Sequence, residues 1–357
     1  MGGAERVLVD LIEALKDDYE HEVIFFHEGS HKATLERLGV PCRRVTGLVC
    51  LYDPLFWLRF VRAIRQAQSD CIHSLLWGAN WASCLVGPLL HVPVVSGLHN
   101  YLDGYGKVRR VLDRLVFRPN CFVAVSSGVA ESYGRVYKSV KPAKVCVIDD
   151  GINVPPNESR SRISRDSLSI PEEASVIGTV GRFEPEKNQQ LLVSAFSQFV
   201  THSRERGFTR ELFLVMVGYG SLESALREQV VLLGLEKQVL FVVGQQADDY
   251  YALFDCFVLT SPSEGLSLAL LEAMVRSIPC VVTNNEAHHP ALTSGQNGVV
   301  VATYDEIALS TALLEVLCDK KAACRMGSEA KKTVLEHYTV DRMARSYRDL
   351  FNSCMKK

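Results

Sequence analysis

The sequence predicts an α/β fold made of two doubly wound parallel-sheet domains. Short apolar runs alternate with amphipathic stretches of helical length, which is the pattern of parallel sheets covered by helices. The length of 357 residues fits two such domains better than one. A stretch rich in Pro, Asn, Ser and Arg, from position 151 to about 170, lacks apolar periodicity and reads as the linker. The predicted domains are therefore 1–155 and 170–337.

Ten apolar runs are expected to form strands, five in each half of the chain. Each run has the length of a strand and is followed by a stretch of helical length. They cover 21–26, 71–75, 92–98, 121–125, 144–148, 175–180, 211–217, 238–243, 255–260 and 279–283.

The chain opens on Gly2 and Gly3 and passes directly into a helical stretch. A doubly wound domain would first supply a strand there, so the first strand of the N-terminal domain is predicted to be missing. Three explanations stay open from the sequence: a truncated chain, a late start codon, or a domain that tolerates the loss of one strand. A parallel sheet without that strand would expose strand edges.

Charge and cysteine usage exclude several classes of protein. The 39 basic and 41 acidic side chains nearly cancel, which argues against a nucleic-acid partner. The 11 cysteines form no C-x-x-C pair, so we expect free thiols in a reducing compartment and no zinc. No basic, apolar and small-residue signal sequence opens the chain. These features predict a cytoplasmic protein.

Residues 71–102 contain no Asp, Glu, Lys or Arg and are long enough to cross a bilayer. Pro88, Pro93 and several polar residues interrupt the stretch. A strand over 71–75, a helix over about 80–90 and a strand over 93–98 explain the same composition, because parallel strands are buried on both faces. We therefore interpret it as a βαβ unit.

A carboxylate, a glycine and a helix start meet after the predicted strand 255–260, in the segment 264–272, Glu-Gly-Leu-Ser-Leu-Ala-Leu-Leu-Glu. A helix opening at Leu266 or Ser267 leaves N–H donors that suit an anionic group such as a phosphate. Glu264 precedes this helix and Glu272 lies on it, so both can border one cleft and hold hydroxyls of a sugar or ribose. From this segment alone, a capped helix with two solvated glutamates explains the pattern equally well.

A second glycine motif follows the predicted strand 175–180 and reads Gly-Arg-Phe-Glu-Pro-Glu-Lys-Asn over 181–188. Arg182 can bind phosphate oxygens through two N–H groups, and Lys187 adds a mobile charge, so the pair suits a diphosphate. Gly218-Tyr219-Gly220 is a weaker signal, because a lone G-x-G either approaches a ligand or simply ends a strand. His99 ends the strand 92–98, where a single histidine is more often structural.

Residues 104–144 carry the strongest charge asymmetry of the chain. An apolar stripe at helical spacing between the cations fits a helix on an anionic membrane surface, and a core-packed helix with a solvated basic face fits as well. The nine cations are Lys107, Arg109, Arg110, Arg114, Arg118, Arg135, Lys138, Lys141 and Lys144.

Taken in chain order, these motifs resemble glycosyltransferase family 4, the retaining nucleotide-sugar transferases of GT-B fold. The similar elements are the Gly-Gly-Ala-Glu-Arg opening, His99-Asn100, Val125-Ser126-Ser127, the Gly-Arg-x₄-Lys motif at 181–187 and Glu264-x₇-Glu272. The resemblance implies two Rossmann-like domains facing a cleft and hinged to close on the donor. It also implies that a final helix, about 338–357 within the helical period 331–351, returns to the first domain.

The resemblance further implies the roles of individual residues. Arg182 and Lys187 would hold the donor diphosphate, Glu272 the ribose and Glu264 the donor sugar. In the first domain, Gly2 and Gly3 would approach the diphosphate, and His99 would reach the sugar; Glu264 and His99 are the predicted catalytic residues. Backbone amides for the sugar or phosphate would come from Gly265, Leu266, Ser267 and Leu268.

The implied reaction moves a hexose or N-acetylhexosamine from a UDP- or GDP-linked donor to a glycan or lipid-linked acceptor. Retention would follow from attack on the face that the leaving group departs from, with the departing phosphate oxygen taking the proton. Cations and the helix dipole would replace a metal, so no metal or cofactor is expected. The implied setting is cell-surface polysaccharide or glycolipid synthesis, including lipopolysaccharide, on the inner face of a membrane.

Two segments depart from the family pattern besides the missing strand. Residues 149–153, Asp-Asp-Gly-Ile-Asn, stand where Pro-Asn-Gly-Ile-Asp is usual. Residues 286–290, Glu-Ala-His-His-Pro, stand where the family often has a glycine pair and a glutamate. Two alternatives stay open: a GT-B sugar-nucleotide epimerase, which needs no acceptor, and a truncated non-catalytic donor-binding homologue.

Overall fold

The computed structural model describes residues 3–27, 29, 31–46, 53–101, 106, 111, 113, 115–117, 119–136, 144–156, 163–262, 264–284 and 291–355. The chain divides into two compact units, residues 1–153 with 338–357, and residues 154–337. Every strand pairing in both units is parallel within the described residues. The predicted α/β class with parallel sheets is confirmed.

The first unit holds a four-stranded sheet in the order β3-β4-β5-β6 and a separate pair, β1-β2. Its strands are β1 Val23–Phe25, β2 Cys42–Arg44, β3 Ile72–Leu75, β4 Val94–Leu98, β5 Cys121–Ala124 and β6 Lys144–Val147. Its helices up to this point of the chain are α1 Gly3–Leu15, α2 Lys32–Arg37, α3 Pro54–Ala67, α4 Trp77–Leu89 and α5 Ser127–Val136.

The division of the first unit's strands falls where the sequence predicted a missing strand. In the doubly wound order 3-2-1-4-5-6, the first strand lies between the second and the fourth. With no strand before α1 among the described residues, β1 takes the second place and β3 the fourth. The gap between the pair β1-β2 and the sheet β3-β6 therefore coincides with the place of the first strand.

The uncharged stretch 71–102 forms the predicted βαβ unit, with β3, α4 and β4 in succession. β4 is buried along its whole length between β3 and β5. Within the described ranges, no helix combines the length and apolar character needed to cross a membrane. The βαβ interpretation of this stretch is confirmed.

The second unit contains a six-stranded sheet in the order β12-β11-β10-β7-β8-β9. Its strands are β7 Ser175–Val180, β8 Leu212–Val217, β9 Val239–Val242, β10 Cys256–Leu259, β11 Cys280–Asn284 and β12 Val299–Ala302. Its helices are α6 Gln189–Glu205, α7 Glu223–Leu232, α8 Leu268–Val275, α9 Glu306–Cys318 and α10 Lys320–His337. The core packs α6 and α9 against β7, β8 and β10, with Phe196, Phe199 and Leu313 fully buried.

The predicted continuous helical period over 331–351 is interrupted in the structure. Helix α10 ends at His337, and α11, Val340–Met355, follows after a short break. At that break Ile152 N donates to Tyr338 O at 2.9 Å and Val340 N donates to Ile152 O at 3.1 Å. These backbone bonds start α11 beside the end of the first unit, to which α11 belongs.

Gly151 permits this junction. A Cβ atom on Gly151 would lie 2.4 Å from Thr339 O, closer than any side chain tolerates. Helix α11 then buries Met343, Tyr347 and Phe351 in the first unit.

We expect His73 on β3 to make the stability of the first unit depend on pH. The imidazole is half-buried, and its Nε2 atom is enclosed; the ring lies 5.1 Å from the Tyr347 ring and 5.6 Å from the Phe351 ring, measured between ring centroids. Burial, and then the neighbouring His99 and His21, lower the pKa of His73 from 6.5 to about 3. In that pH range the unfolded chain binds a proton that the folded chain excludes, so the free energy of unfolding should fall as the pH drops from 6.5 towards 3.

Replacing His73 by Phe should reduce the dependence of the free energy of unfolding on pH between 6.5 and about 3. We expect the wild type to lose up to about 1.4 kcal/mol per pH unit from this one group, measured by denaturant unfolding at a series of pH values. The same substitution at His337, an exposed residue of α10, should leave the slope at its wild-type value. Identical slopes in the wild type and His73→Phe would show that His73 is not the group responsible.

Candidate functional site

The two predicted ligand motifs of the second unit follow neighbouring strands. Strands β7 and β10 pair in parallel, with Ile177 opposite Cys256. The chain builds outward from β7 to β9 and then returns to β10, so the strand order reverses between β7 and β10. Open α/β sheets bind ligands at the carboxyl ends of the strands at such a switch point. The loop 181–187 and the segment that begins at Thr260 both lie at this position.

Lys187 and Glu264 join the two segments directly. Lys187 Nζ donates to Glu264 Oε1, and both side chains are largely buried, with exposed fractions of 21% and 14%. Ser261 Oγ donates to the same carboxylate oxygen at 2.6 Å, and Thr260 Oγ1 donates to Lys187 O at 2.9 Å. The carboxylate is therefore held from two sides, and the predicted diphosphate cation lies beside the predicted sugar ligand.

Helix α8 begins at Leu268, one or two residues later than the sequence predicted. Ser267 takes the N-cap position in an extended conformation and makes no side-chain capping bond. The N–H groups of the first turn therefore keep their capacity to bind an anion, since no helical carbonyl reaches them. Gly265, Leu266 and Ser267 are buried between Glu264 and this helix start.

Glu272 lies in the middle of α8 and is 4% exposed. Tyr251 OH donates to Glu272 Oε2 at 2.7 Å. Burial, and then the negative charge of Glu272, raise the pKa of Tyr251 well above its ordinary value, so the phenol keeps its proton at neutral pH. The carboxylate is thus inside the unit, hydrogen-bonded, and not solvated as the alternative interpretation of the 264–272 segment would have it.

Arg182 lies apart from the Lys187–Glu264 pair. Its guanidinium is about half exposed and forms an ion pair with Glu186, with Nη2 2.6 Å from Oε1. Its backbone carbonyl accepts from Gln189 Nε2 at 2.7 Å, which fixes the loop but not the side chain. The structure therefore brings one of the two predicted cations to Glu264, and the diphosphate role of Arg182 stays a prediction.

The Gly218-Tyr219-Gly220 turn packs its backbone against the backbone of the 181–187 loop. A Cβ on Gly218 would lie 1.9 Å from Gly181 O, and a Cβ on Gly220 would lie 2.3 Å from Phe183 O. Phe183 N donates to Tyr219 O at 2.8 Å, so the two segments run in backbone contact. Both glycines are explained by this close packing of main chain on main chain.

In the first unit, His99 follows β4 and pairs with a carboxylate. His99 Nδ1 lies 3.6 Å from Asp150 Oδ2, and both side chains are more than nine-tenths buried. Asp150 belongs to the segment 149–153, whose sequence departs from the pattern that the resemblance implies. His99 Nε2 and Asp150 Oδ1 have no hydrogen-bond partner within the described residues. The predicted contact of His99 with a donor sugar stays a prediction.

Several predicted features lie outside the described residues. Gly2 is among them, whereas Gly3 is the first residue of α1. Seven of the nine cations in the basic segment 104–144 and all of 286–290 are also outside. In the part of the chain that is described, no group of three or more His, Cys, Asp or Glu side chains has the arrangement of a metal site.

Sequence reasoning missed Tyr251, Ser261 and Asp150. Ser261 precedes Glu264 by three residues, and that proximity was a usable signal. Tyr251 is 21 positions from Glu272, and nothing in the sequence spacing links the two residues.

Lys187 should contribute more to diphosphate binding than Arg182. We expect Lys187→Met to weaken the binding of UDP or GDP about tenfold or more, because a charge-assisted contact at a partly buried position is lost. Arg182→Met should have a smaller effect, since the guanidinium is about half exposed and solvent screens its charge more than that of Lys187. Calorimetric titration measures both. The matching nucleoside, which has no phosphate, is the control ligand, and an equal loss of nucleoside binding would contradict the phosphate role.

The fold is that of two parallel-sheet units, with a candidate anion site at the switch point of the second, and comparison with known proteins gives the family. The glycosyltransferase family 4 model matches residues 1–154, and the model for glycosyl transferases group 1 matches residues 161–333. The chain belongs to the family 4 type of glycosyltransferases, which have the GT-B fold, and it is an enzyme of that class.

Two relatives and one solved structure illustrate the similarity. D-inositol 3-phosphate glycosyltransferase of Corynebacterium efficiens is 24% identical over 285 residues, covering 74% of this chain and 66% of its own length. The chain thus spans just under two thirds of that relative. An α-1,4-N-acetyl-D-galactosaminyltransferase of Campylobacter jejuni, which acts on an undecaprenol diphosphate-linked glycan, is 26% identical over 347 residues. The match covers 93% of this chain and 90% of that protein. The crystal structure of Anabaena HepE in complex with UDP-glucose matches this chain with a TM-score of 0.85 at 20% identity. The match covers 99% of this chain and 96% of HepE.

Proposed function

We propose that this glycosyltransferase moves a hexose or N-acetylhexosamine from a UDP- or GDP-linked donor to a glycan or lipid-linked acceptor, with retention of the anomeric configuration. The setting proposed is cell-surface polysaccharide or glycolipid synthesis in the cytoplasm. The donor class is supported by the HepE complexes with UDP and UDP-glucose, and the acceptor class by the undecaprenol-linked substrate of the Campylobacter relative.

The observation that carries the proposal is the junction of Lys187, Glu264 and the start of α8 at the switch point. A cation, a carboxylate and unpaired helix N–H groups in one place can hold a phosphate and a sugar hydroxyl side by side. Glu272, deeper on the same helix, adds a carboxylate suited to ribose hydroxyls.

In the proposed reaction, the bond from the anomeric carbon to the phosphate oxygen breaks while the acceptor oxygen forms a bond on the same face. The acceptor proton passes to the departing phosphate oxygen, so the protein need not supply a base. Lys187 and the α8 dipole stabilise the charge that develops on the leaving diphosphate. Glu264 faces the sugar, where its charge stabilises positive character at the anomeric carbon.

A panel of nucleotides and nucleotide-sugars tested for protection against thermal unfolding is the direct experiment. A donor identified in this way is then incubated with and without candidate acceptors, and the anomer of the product is read by NMR. Transfer with retention supports the proposal. Epimerisation of the donor without any acceptor would assign the chain to the alternative enzyme class. Donor binding without turnover would identify a non-catalytic homologue.

We also propose that the first unit contacts an anionic membrane surface. Seven of the nine cations in the segment 104–144 that suggested this lie outside the described residues, but α3 supports the contact independently. Leu55 and Leu58 are 55% and 67% exposed on α3. Arg59, Arg62 and Arg65 are exposed on the same side of the helix, each three positions from the next. Exposed leucines beside cations fit a lipid surface of negative charge.

Co-sedimentation with lipid vesicles tests this contact. We expect binding to vesicles that contain phosphatidylglycerol, little binding to pure phosphatidylcholine, and loss of binding as salt rises. Leu58→Ser combined with Arg62→Gln should weaken binding severalfold, at about 1 kcal/mol per cation. Leu232→Ser with Arg325→Gln, on exposed faces of α7 and α10, is the matched control. Sedimentation that ignores lipid charge would refute the proposal.

A further inference from the structure

Tyr251 lies at a fixed position behind the switch-point site. It opens the short 3₁₀ turn Tyr251–Leu253 that leads into β10, and it is completely buried. Its ring packs against Phe254 and Phe257, with centroid separations of 5.8 Å and 6.0 Å. Because the ring is enclosed, the phenol oxygen has little freedom to change its place.

The phenol has two oxygen atoms within hydrogen-bond distance. Tyr251 OH lies 2.7 Å from Glu272 Oε2 and 3.1 Å from Ala269 O. A phenol carries one proton, and a carboxylate is the stronger and here the nearer acceptor. The proton therefore belongs to the bond with Glu272. That bond is one contact that fixes the orientation of the Glu272 carboxylate.

Arg276 contacts both the Tyr251 ring and the backbone of Glu272. Its guanidinium carbon lies 4.7 Å from the centroid of the Tyr251 ring, a cation–π contact. Arg276 Nη1 donates to Glu272 O at 2.8 Å, and Nη2 pairs with Asp248 Oδ1 at 2.8 Å. Asp248, Arg276, Tyr251 and Glu272 thus form one connected set that links the surface of the unit to the buried carboxylate.

We propose that Tyr251 is a positioning residue for nucleotide recognition: its hydroxyl orients the Glu272 carboxylate towards the ribose hydroxyls of the donor. This inference rests on the proposed nucleotide-sugar function, in which Glu272 binds the ribose. Tyr251 itself need not contact the ligand. Its contribution is to restrict the orientation of the Glu272 carboxylate before the nucleotide arrives, which lowers the cost of binding.

The test combines a protein variant that lacks the phenol hydroxyl with a nucleotide analogue that lacks the ribose hydroxyls. Dissociation constants are measured by calorimetry for the wild type and Tyr251→Phe, with UDP or GDP, whichever the wild type binds, and with its 2′,3′-dideoxy analogue. The ratio of the two constants reports how well the protein recognises the ribose hydroxyls. A purely structural defect would weaken both ligands together and leave the ratio unchanged.

We expect the wild type to favour the ribose form by about tenfold or more, and Tyr251→Phe to reduce that ratio several-fold. Tyr250→Phe is the matched control, because Tyr250 is the adjacent residue, is also buried, and makes no contact with Glu272 among the bonds described. It should keep the wild-type ratio. Thermal unfolding checks that each variant is folded.

A wild-type ratio in Tyr251→Phe would overturn the inference while leaving the proposed function intact. Wild-type protein that binds neither UDP nor GDP would overturn the proposed function itself, and the inference with it. If Tyr251→Phe does not fold, Arg276→Met takes its place, since Arg276 is partly exposed and releases one face of the Tyr251 ring. An unchanged ratio in that variant would likewise overturn the proposal.

Discussion

Glu264→Gln is expected to reduce the rate of sugar transfer by about a hundredfold or more, with little change in stability. Glutamine keeps an oxygen that can accept from Ser261 and Lys187, so the local hydrogen bonds persist. What is lost is the negative charge that faces the reacting sugar in the proposed function. The removal of one preorganised electrostatic group typically lowers the rate by about 10²–10³.

The release of nucleoside diphosphate in the presence of donor and acceptor measures this effect. Glu223→Gln on α7 is the matched control, because Glu223 pairs with Arg227 on the same helix, away from the switch point. It should turn over at the wild-type rate. A Glu264→Gln enzyme that works within a few-fold of the wild type would remove Glu264 from the reacting centre.

Gly218→Ala is expected to destabilise the second unit by about 3 kcal/mol or more and to abolish donor binding. The added Cβ would lie 1.9 Å from Gly181 O, and neither strand end can move away without breaking the backbone contact between the two loops. For a unit of this size, the loss corresponds to a fall in melting temperature of about 10 °C.

Gly134→Ala provides the opposite control. Gly134 is exposed on α5, and nothing lies within 4 Å of the place that its Cβ would take. Alanine in a helix interior should stabilise the protein by about 0.5–1 kcal/mol. Calorimetric unfolding of both variants measures the contrast. A Gly218→Ala protein as stable as the wild type would show that the loop pair can relax.

The strands of both units were largely predictable, because parallel strands are buried on both faces and appear in the sequence as apolar runs. β8, for example, is buried at every position, and the run 211–217 predicts it directly. Strand β2 escaped prediction, since Cys42, Arg43 and Arg44 form a short, half-exposed strand with no apolar run. β12 escaped as well; it lies at the edge of its sheet and is only partly buried.

The candidate site was predictable where one motif contained both the chemistry and the position. Glu264 and the start of α8 are adjacent in sequence, and Lys187 follows the neighbouring strand, so sheet topology alone brings them together. The partners of these residues were not predictable. Tyr251 reaches Glu272 only through the packing of the turn before β10 on α8, and no sequence spacing encodes such a contact.

Because α11 belongs to the first unit, the second unit can complete its fold before the first during synthesis. The residues of the second unit, 154–337, are continuous and leave the ribosome together, whereas the first unit needs residues 338–357 as well. The N-terminal part of the first unit therefore cannot complete its fold until the whole second unit has been synthesised. Until then, the surface that later packs against Tyr347 and Phe351 stays exposed. Chaperone demand during translation should fall on the beginning of the chain.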